Sequence, residues 1–527
     1  MRGNRQRWIV ASTCLLIVVF GMRPPLAAQP SARDAVVTAA VQVTANPAPV
    51  RAHSSPKIAV NPRNKELAID ESDPRGKRGC DVHISVDDGR SWAPGDDPMM
   101  DPYRDCSFYG EYGAYASLAF DKRGTLYIAF IASEFLNRPR DETPRHVFLA
   151  RSDDGGRSFT TTMVFKAPDG DPDRGLNKGP TLAIDPTDPR RVYVGWRQGI
   201  FVNAKEKFRG NIAASADGGR TFGAPVDLYD ERGGDYPWPA VGQDGTVHVV
   251  YWTRTFPPVP PGEPAPVRPL NYARSTAHGK TWSKPEQVDP GNQVAGSPRN
   301  PVLAADPNSQ ALYMVWYSDV EAKNQAPGFQ GNLDIFFRHS PDGGKTWSER
   351  QVLNDDAKAG GKVHQFDPGI AIAPDGRVDV AWYDGRLSPK PPATGPGTNE
   401  RGLQDVYYTS STDQGRTWRP NLRISDRSID RSIGVWGNNI GSSHNIGIAS
   451  TADSVYFAWQ EPRVPHPEQQ PEDVYMSSLK LDSEALSAAS KTSTSVPWAV
   501  YILAGIALGM GAGMIIVWAV SRRTTTP

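Results

Sequence analysis

The chain has 527 residues, with 58 Lys plus Arg balanced by 58 Asp plus Glu. That balance excludes the basic field of a nucleic-acid binder and any polyacidic tail, while the length allows a sizeable core. The 49 Gly and 48 Pro are spread among turns, as many short strands require, and 14 Trp are available to pack between them.

In chain order, Arg2, Arg5 and Arg7 precede an apolar run from Trp8 to Phe20, and Leu26-Ala27-Ala28 offers a small-residue cleavage site. Residues 1–28 therefore read as a secretory signal, and left uncleaved they would form an extra anchor. Around Val41, VVTAAVQVTAN reads as an isolated strand. The dominant pattern follows it. An S-x-D-x-G-x-[ST]-[WF] box occurs six times, at SVDDGRSW, SDDGGRSF, SADGGRTF, STAHGKTW, SPDGGKTW and STDQGRTW, starting at Ser85, Ser152, Ser215, Ser275, Ser340 and Ser411. Successive starts differ by 67, 63, 60, 65 and 71 residues. That period suits one four-stranded propeller blade plus loops.

Each box is preceded by two apolar strands, and unit five spells out all four: NPVLAADP, ALYMVWYSD, LDIFFRHS and ERQVLND. A seventh, boxless unit, HNIGIASTADSVYFAWQ and EDVYMSSLKLD, lacks its fourth strand, which the segment at Val41 can supply. The expectation is an all-β propeller over residues 35–481 with seven four-stranded blades, six being the alternative, closed by the N-terminal strand.

The box itself is turn chemistry. Asp87, Asp154, Asp217, Asp342 and Asp413 can accept backbone N–H bonds, the glycine supplies positive φ, and the hydroxyl adds a local bond. Ala277 replaces the aspartate in the fourth copy, which a fold device tolerates and a catalytic group would not.

Beyond the propeller, residues 482–496 are rich in Ser, Thr and Ala and read as a stalk. Residues 497–520 are uncharged and long enough to cross a hydrocarbon core of about 30 Å as a helix, with Trp498, Tyr501 and Trp518 at the interfaces. Arg522 and Arg523 place the tail, 521–527, in the cytoplasm and the propeller outside. Gly505, Gly509 and Gly513 share one helix face and offer a dimerisation surface. Cys80 and Cys106 are expected to pair in an oxidising compartment, two free thiols being the alternative. Asp169, Asp171 and Asp173 resemble the start of a calcium loop, but Pro180 stands where a bidentate Glu belongs, so a solvated loop is expected and no cofactor is assigned.

The boxes, their period and the signal make residues 50–480 resemble the Asp-box, or BNR-repeat, propellers typified by bacterial sialidases. The resemblance implies a site on the face away from the boxes. For an enzyme it implies exo-sialidase-type glycoside hydrolysis, with an arginine triad, a Tyr–Glu nucleophile pair and an Asp acid/base. At the first strand the sequence reads SSPKIAVNP, with Lys57 where those sialidases carry an arginine in an F/Y-R-I-P motif. Lysine offers a point charge rather than a bidentate fork.

The loops expected on the opposite face carry Arg197, Arg254, Arg299 and Arg386 as anion contacts and Trp238 as a sugar platform. The WYDGR segment concentrates Tyr383, Asp384 and Arg386, echoed by Asp319 in WYSD, so Asp384 or Asp319 is the expected acid/base and Tyr383 the accompanying hydroxyl. Asp-Gly-Arg is also ordinary turn chemistry, and blade-tip charges often form ion pairs. Two classes of function stay open: a surface-anchored protein that binds or hydrolyses glycans, and a non-catalytic scaffold for a surface protein partner.

Overall fold

The computed structural model describes residues 35–44, 53–72, 80–106, 116–134, 144–168, 177–202, 205–228, 234–253, 269–290, 299–319, 333–356, 363–388, 402–431, 433–434, 446–463 and 472–481. All of them fall in one compact unit, Ala32–Asp482. The expected signal, stalk, membrane helix with Gly505, Gly509 and Gly513, and cytoplasmic tail lie outside the described residues, as do Arg254 and the aspartates of the calcium-like loop.

The described strands form seven antiparallel sheets and contain no α-helix. The inner strands, in order, are Ser54–Val60, Ser117–Phe120, Asn177–Ile184, Asp235–Val241, Arg299–Ala305, Gln365–Ile372 and Gly447–Ser450. Each packs against the next, and the seventh returns to the first, so the sheets close into a seven-bladed propeller rather than one of six. The second strands are buried along their whole length in blades two, four, six and seven, because they lie between neighbouring sheets. Trp196, Trp316, Trp382 and Trp459 fill equivalent places near the ends of four of them.

Closure uses the N-terminal segment, in two short pieces. Ala35–Val37 pairs with Leu479–Leu481, and Val41–Gln42 pairs with Tyr475–Met476, supplying the outer strand that the seventh unit lacks. Thr38 and Thr44 fasten the seam: the Ser478 amide donates to Thr38 Oγ1 (2.9 Å), and Thr44 Oγ1 donates to Asp473 Oδ1 (3.1 Å).

Five of the six repeated turns share one geometry. In the third copy Ser215 Oγ donates to Asp217 Oδ1 (2.8 Å), while the Gly219 amide donates to Ser215 Oγ (2.9 Å). The Thr221 amide and hydroxyl donate to the two oxygens of Asp217 at 2.9 and 2.6 Å. Slight burial opposes ionisation of Asp217, but the bonds from Thr221 and Ser215 outweigh it and hold the carboxyl at about 2. In the fourth copy only the serine half survives, with the Gly279 amide donating to Ser275 Oγ (2.9 Å). The turn therefore tolerates Ala277, as a structural device should.

Cys80 and Cys106 form a disulfide, closing a loop with a sequence separation of 26 between the third strand of blade one and the approach to blade two. Restricting that loop in the unfolded chain contributes about 3 kcal/mol on the chain-entropy model. The double variant Cys80→Ala/Cys106→Ala is expected to lower the denaturant midpoint by a corresponding amount. Reduction of the unaltered protein should reproduce the shift, and an unchanged midpoint in both would remove the disulfide from the stability account.

Candidate functional site

Five inner strands carry the same irregularity at their N-terminal ends, opposite the repeated turns. Between Ser54 and Lys57, Lys178 and Thr181, Asp235 and Trp238, Arg299 and Val302, and Phe366 and Gly369, the register shifts by one residue, leaving one extra residue on the inner strand. In each bulge a residue with positive φ precedes a proline: Ser55 (56°), Gly179 (60°), Tyr236 (48°), Asn300 (49°) and Asp367 (51°). Four of the five are not glycine, and a side chain held there costs of the order of 1–3 kcal/mol, so the surrounding fold must impose it. The bulges re-aim side chains towards the mouth of the central channel.

A small cavity lies there, lined by Lys57, Gly179, Thr181, Tyr236, Trp238 and Asn300, with Ala116, Ser117 and two of the bulge prolines completing the wall. Tyr236 is gripped from several sides. Its ring occupies the notch over Gly179, where a Cβ would sit 2.4 Å from a ring carbon. The Arg197 guanidinium stands 4.7 Å above the same ring, and Trp252 lies parallel at 6.5 Å. Thr181 Oγ1 donates to the Pro237 carbonyl (2.6 Å), tying blade three to the bulge of blade four. Across the mouth, Asn300 Nδ2 donates to Asp367 Oδ1 (2.7 Å).

Lys57 is the cation of this wall. Its Cα partner across the first two strands of blade one is Asp70, so both side chains share a sheet face. Lys57 reaches the cavity, while Asp70 behind it is 1% exposed. Burial brings Lys57 down to about 8, against the attraction of Asp70 and Asp367. Burial likewise pushes Asp70 up to about 7, against the pull of Lys57. Glu71, next in the chain and on the other face, behaves oppositely. Burial alone would raise it, but His53 (2.9 Å) and His83 (3.5 Å) hold it down at about 2.

Of the residues singled out from sequence, Trp238 lines the cavity. Arg197 is placed behind it: 1% exposed, ion-paired with Asp235 (3.3 Å) and stacked over Phe208 (4.4 Å) as well as Tyr236, it supports the aromatic wall. Arg299 begins the inner strand of blade five and Asp319 ends the second, and neither side chain is among those described. Tyr383 is 1% exposed, its ring stacked on Phe366 at 5.7 Å, and burial pushes its phenol well above the ordinary value.

Asp384 and Arg386 form a seam between blades five and six. Asp384 accepts from Trp382 Nε1 (3.0 Å), Gln365 Nε2 (3.4 Å) and the Arg386 amide (2.9 Å), Nε (3.0 Å) and Nη2 (2.8 Å). Arg386 also donates to Asp355 Oδ1 (2.6 Å) and lies 4.2 Å over the Tyr407 ring. Blade seven repeats this arrangement: Trp459 Nε1 donates to Glu461 Oε2 (2.9 Å), Arg463 Nε lies 3.1 Å from Glu461, and Arg463 covers Tyr475 at 3.9 Å. The shared pattern W-x-[DE]-[GP]-R, WYDGR and WQEPR, is thus a second repeated structural device. The five bulges carry only a faint sequence signal, an X-Pro pair at each inner-strand start, yet it marks the cavity that the arginine-rich loops do not.

The chain matches no protein-family model and no curated protein. Among solved structures it is similar to a Hadza microbial sialidase, at 14% identity over 79% of this chain and 76% of that one, with a TM-score of 0.41. An α-L-arabinofuranosidase from Fusarium graminearum shares 12% identity over 84% and 98% of the two chains, with a TM-score of 0.43. An endosialidase of phage phi92 shares 10% identity over 85% and 69%, with a TM-score of 0.45. What the cavity accepts is decided by its own lining.

Proposed function

We propose that this chain is an exported, membrane-anchored propeller that recognises a glycan through the cavity at the channel mouth. The observation that carries the reading is the convergence, in one cavity, of two aromatic rings (Tyr236 and Trp238), an amide (Asn300) and an ammonium (Lys57). Aromatic faces suit the apolar face of a sugar ring, the amide and hydroxyl groups suit its hydroxyls, and Lys57 suits an acidic substituent. The expected signal at 1–28 and span at 497–520 support a place outside the cell, tethered to the membrane.

The full chain in detergent, screened on a glycan array and against a fluorogenic sialoside, tests this. Trp238→Ala should weaken glycan binding by about ten-fold or more, the loss of one stacked face, with a modestly lowered melting temperature because the ring also packs against the core. Binding that survives both Trp238→Ala and Asn300→Ala would place the ligand elsewhere. A second reading, a non-catalytic scaffold for a surface protein, is favoured by one observation: the charged pair Asp384 and Arg386 is consumed in an inter-blade seam. Absence of any glycan signal would favour it.

A further inference from the structure

Blade three turns a glycine on each of its first three strands towards the bulge of blade four: Gly179 on Asn177–Ile184, Gly195 on Val192–Val202 and Gly210 on Lys205–Ser215. A Cβ at Gly195 would stand 3.0 Å from the Pro237 carbonyl oxygen and 3.4 Å from Cγ of that proline, and one at Gly210 would stand 3.5 Å from its Cδ. At Gly179 a Cβ would overlap the Tyr236 ring, and the backbone there is left-handed, with φ at 60°. Tyr236 and Pro237 are therefore seated in a socket free of side chains, and the strained backbone of Tyr236 (φ 48°) is held by that fit. The ring has little freedom inside it. Arg197 covers it at 4.7 Å and is itself fixed over Phe208 and against the Asp235 carboxylate, while Trp252 runs parallel to it.

We propose that Gly179 and Tyr236 are the specificity-determining pair of this cavity, setting by their interlock the largest terminal sugar ring it accepts. This rests on reading the cavity as a glycan site, and it adds a limit of size to that reading. Both residues line the cavity. A ring pushed off Gly179 cannot move towards Arg197 without expelling a guanidinium that is 1% exposed and ion-paired, so the space open to it is the cavity itself. A methyl group at 179 thus narrows the cavity through Tyr236, a residue it does not replace. Removing the ring has the opposite effect and leaves its place in the wall empty. A wall held this firmly discriminates by size, since a ligand too bulky by one CH2OH group cannot push it back. Lys57, Trp238 and Asn300 keep their places on the other sides in either case.

The test uses the full chain in detergent as Gly179→Ala, Tyr236→Ala and the double variant, read by the denaturant midpoint without ligand and by an array of matched pentose-, hexose- and N-acetylhexosamine-terminated glycans. Gly179→Ala should lower the midpoint of the unaltered protein more than that of Tyr236→Ala, where no ring is left to collide with. On the array Gly179→Ala should lose hexose termini about ten-fold more than pentose termini, the usual discrimination over one small group. Tyr236→Ala should shift the other way, raising the ratio of N-acetylhexosamine to hexose binding, and the double variant should resemble it. Additive midpoints overturn the interlock. Coupled midpoints with unchanged binding ratios overturn the specificity role and make Tyr236 a packing residue. If Gly179→Ala does not fold, Tyr236→Ala carries the test alone, and a ratio equal to that of the unaltered protein overturns the proposal. An unaltered protein that binds no glycan removes the specificity role together with the reading beneath it, while the ligand-free midpoints still report whether the two residues interlock.

Discussion

An acidic saccharide is expected to bind the cavity roughly a hundred-fold more weakly at pH 9 than at pH 6, while its neutral counterpart binds alike at both. The sign follows from Lys57 and Asp70. Below pH 7 the carboxyl of Asp70, raised to about 7, is protonated, and Lys57, lowered to about 8, is charged, so the pair carries +1. Between the two values they cancel. Above 8 the amine is neutral and the carboxylate remains, so the cavity wall turns to −1. Loss of the Lys57 charge alone, about 5 Å from a ligand anion at an effective dielectric constant near 20, is worth about 3 kcal/mol, which is the hundred-fold. Titration calorimetry with sialyllactose and lactose measures it. Asp70→Asn should leave one inflection and move it to lower pH, because Lys57 loses the carboxylate that supports its charge. Parallel pH profiles for the acidic and neutral sugars would show that Lys57 does not face the ligand.

Asp384→Ala is expected to cost about 3–5 kcal/mol of stability and to leave ligand binding by the surviving folded protein intact. The carboxylate is fully buried and receives five hydrogen bonds, so its removal strands the indole N–H of Trp382 and the amide of Gln365 in the interior. Arg386 keeps Asp355 at 2.6 Å and Asp356 at 3.6 Å, so its charge is only partly abandoned. Burial opposes that charge, yet Asp384 and Asp355 outweigh it and raise the guanidinium pKa above its ordinary value. Thermal unfolding and binding of Asp384→Ala beside Trp238→Ala separate the roles: the first should melt early and bind normally, and the second should lose binding while folded. A folded Asp384→Ala protein that has lost its ligand would return Asp384 to the site.

Strand count and closure were legible because they repeat or complete a repeat. The boxes set the blade period, and the missing fourth strand of EDVYMSSLKLD called for a partner that VVTAAVQVTAN could supply. The pairing of Cys80 with Cys106 followed from the oxidising compartment that the expected signal implies for the two cysteines beyond it. The cavity was harder to see, since bulges leave only an X-Pro pair in the sequence, and proline is common among 48 copies. Tyr236 and Asn300 look unrelated until the register shift puts them at equivalent places on neighbouring inner strands, and Lys57 comes to the same cavity from blade one. WYDGR misled for the converse reason. Its charged residues are conspicuous in a linear reading, but burial and the indole N–H of Trp382 are properties of the seam, and only comparison with WQEPR reveals a device used twice. Arg197 is similar: a guanidinium reads as a ligand contact until Asp235 and Phe208 are seen around it.

The pairing of Val41 with Met476 also fixes when this molecule can become whole. Six blades use strands contiguous in the chain and can assemble as each is made, but the seventh joins the first segment out to one of the last. Until Asp473–Leu481 emerges, Ala35–Val37 has no partner and the ring ends on an open edge, the surface on which strands of other chains assemble. A chain interrupted after blade six would therefore be a sticky intermediate rather than a shorter propeller, and the interval between the two ends is the period in which a chaperone has work to do.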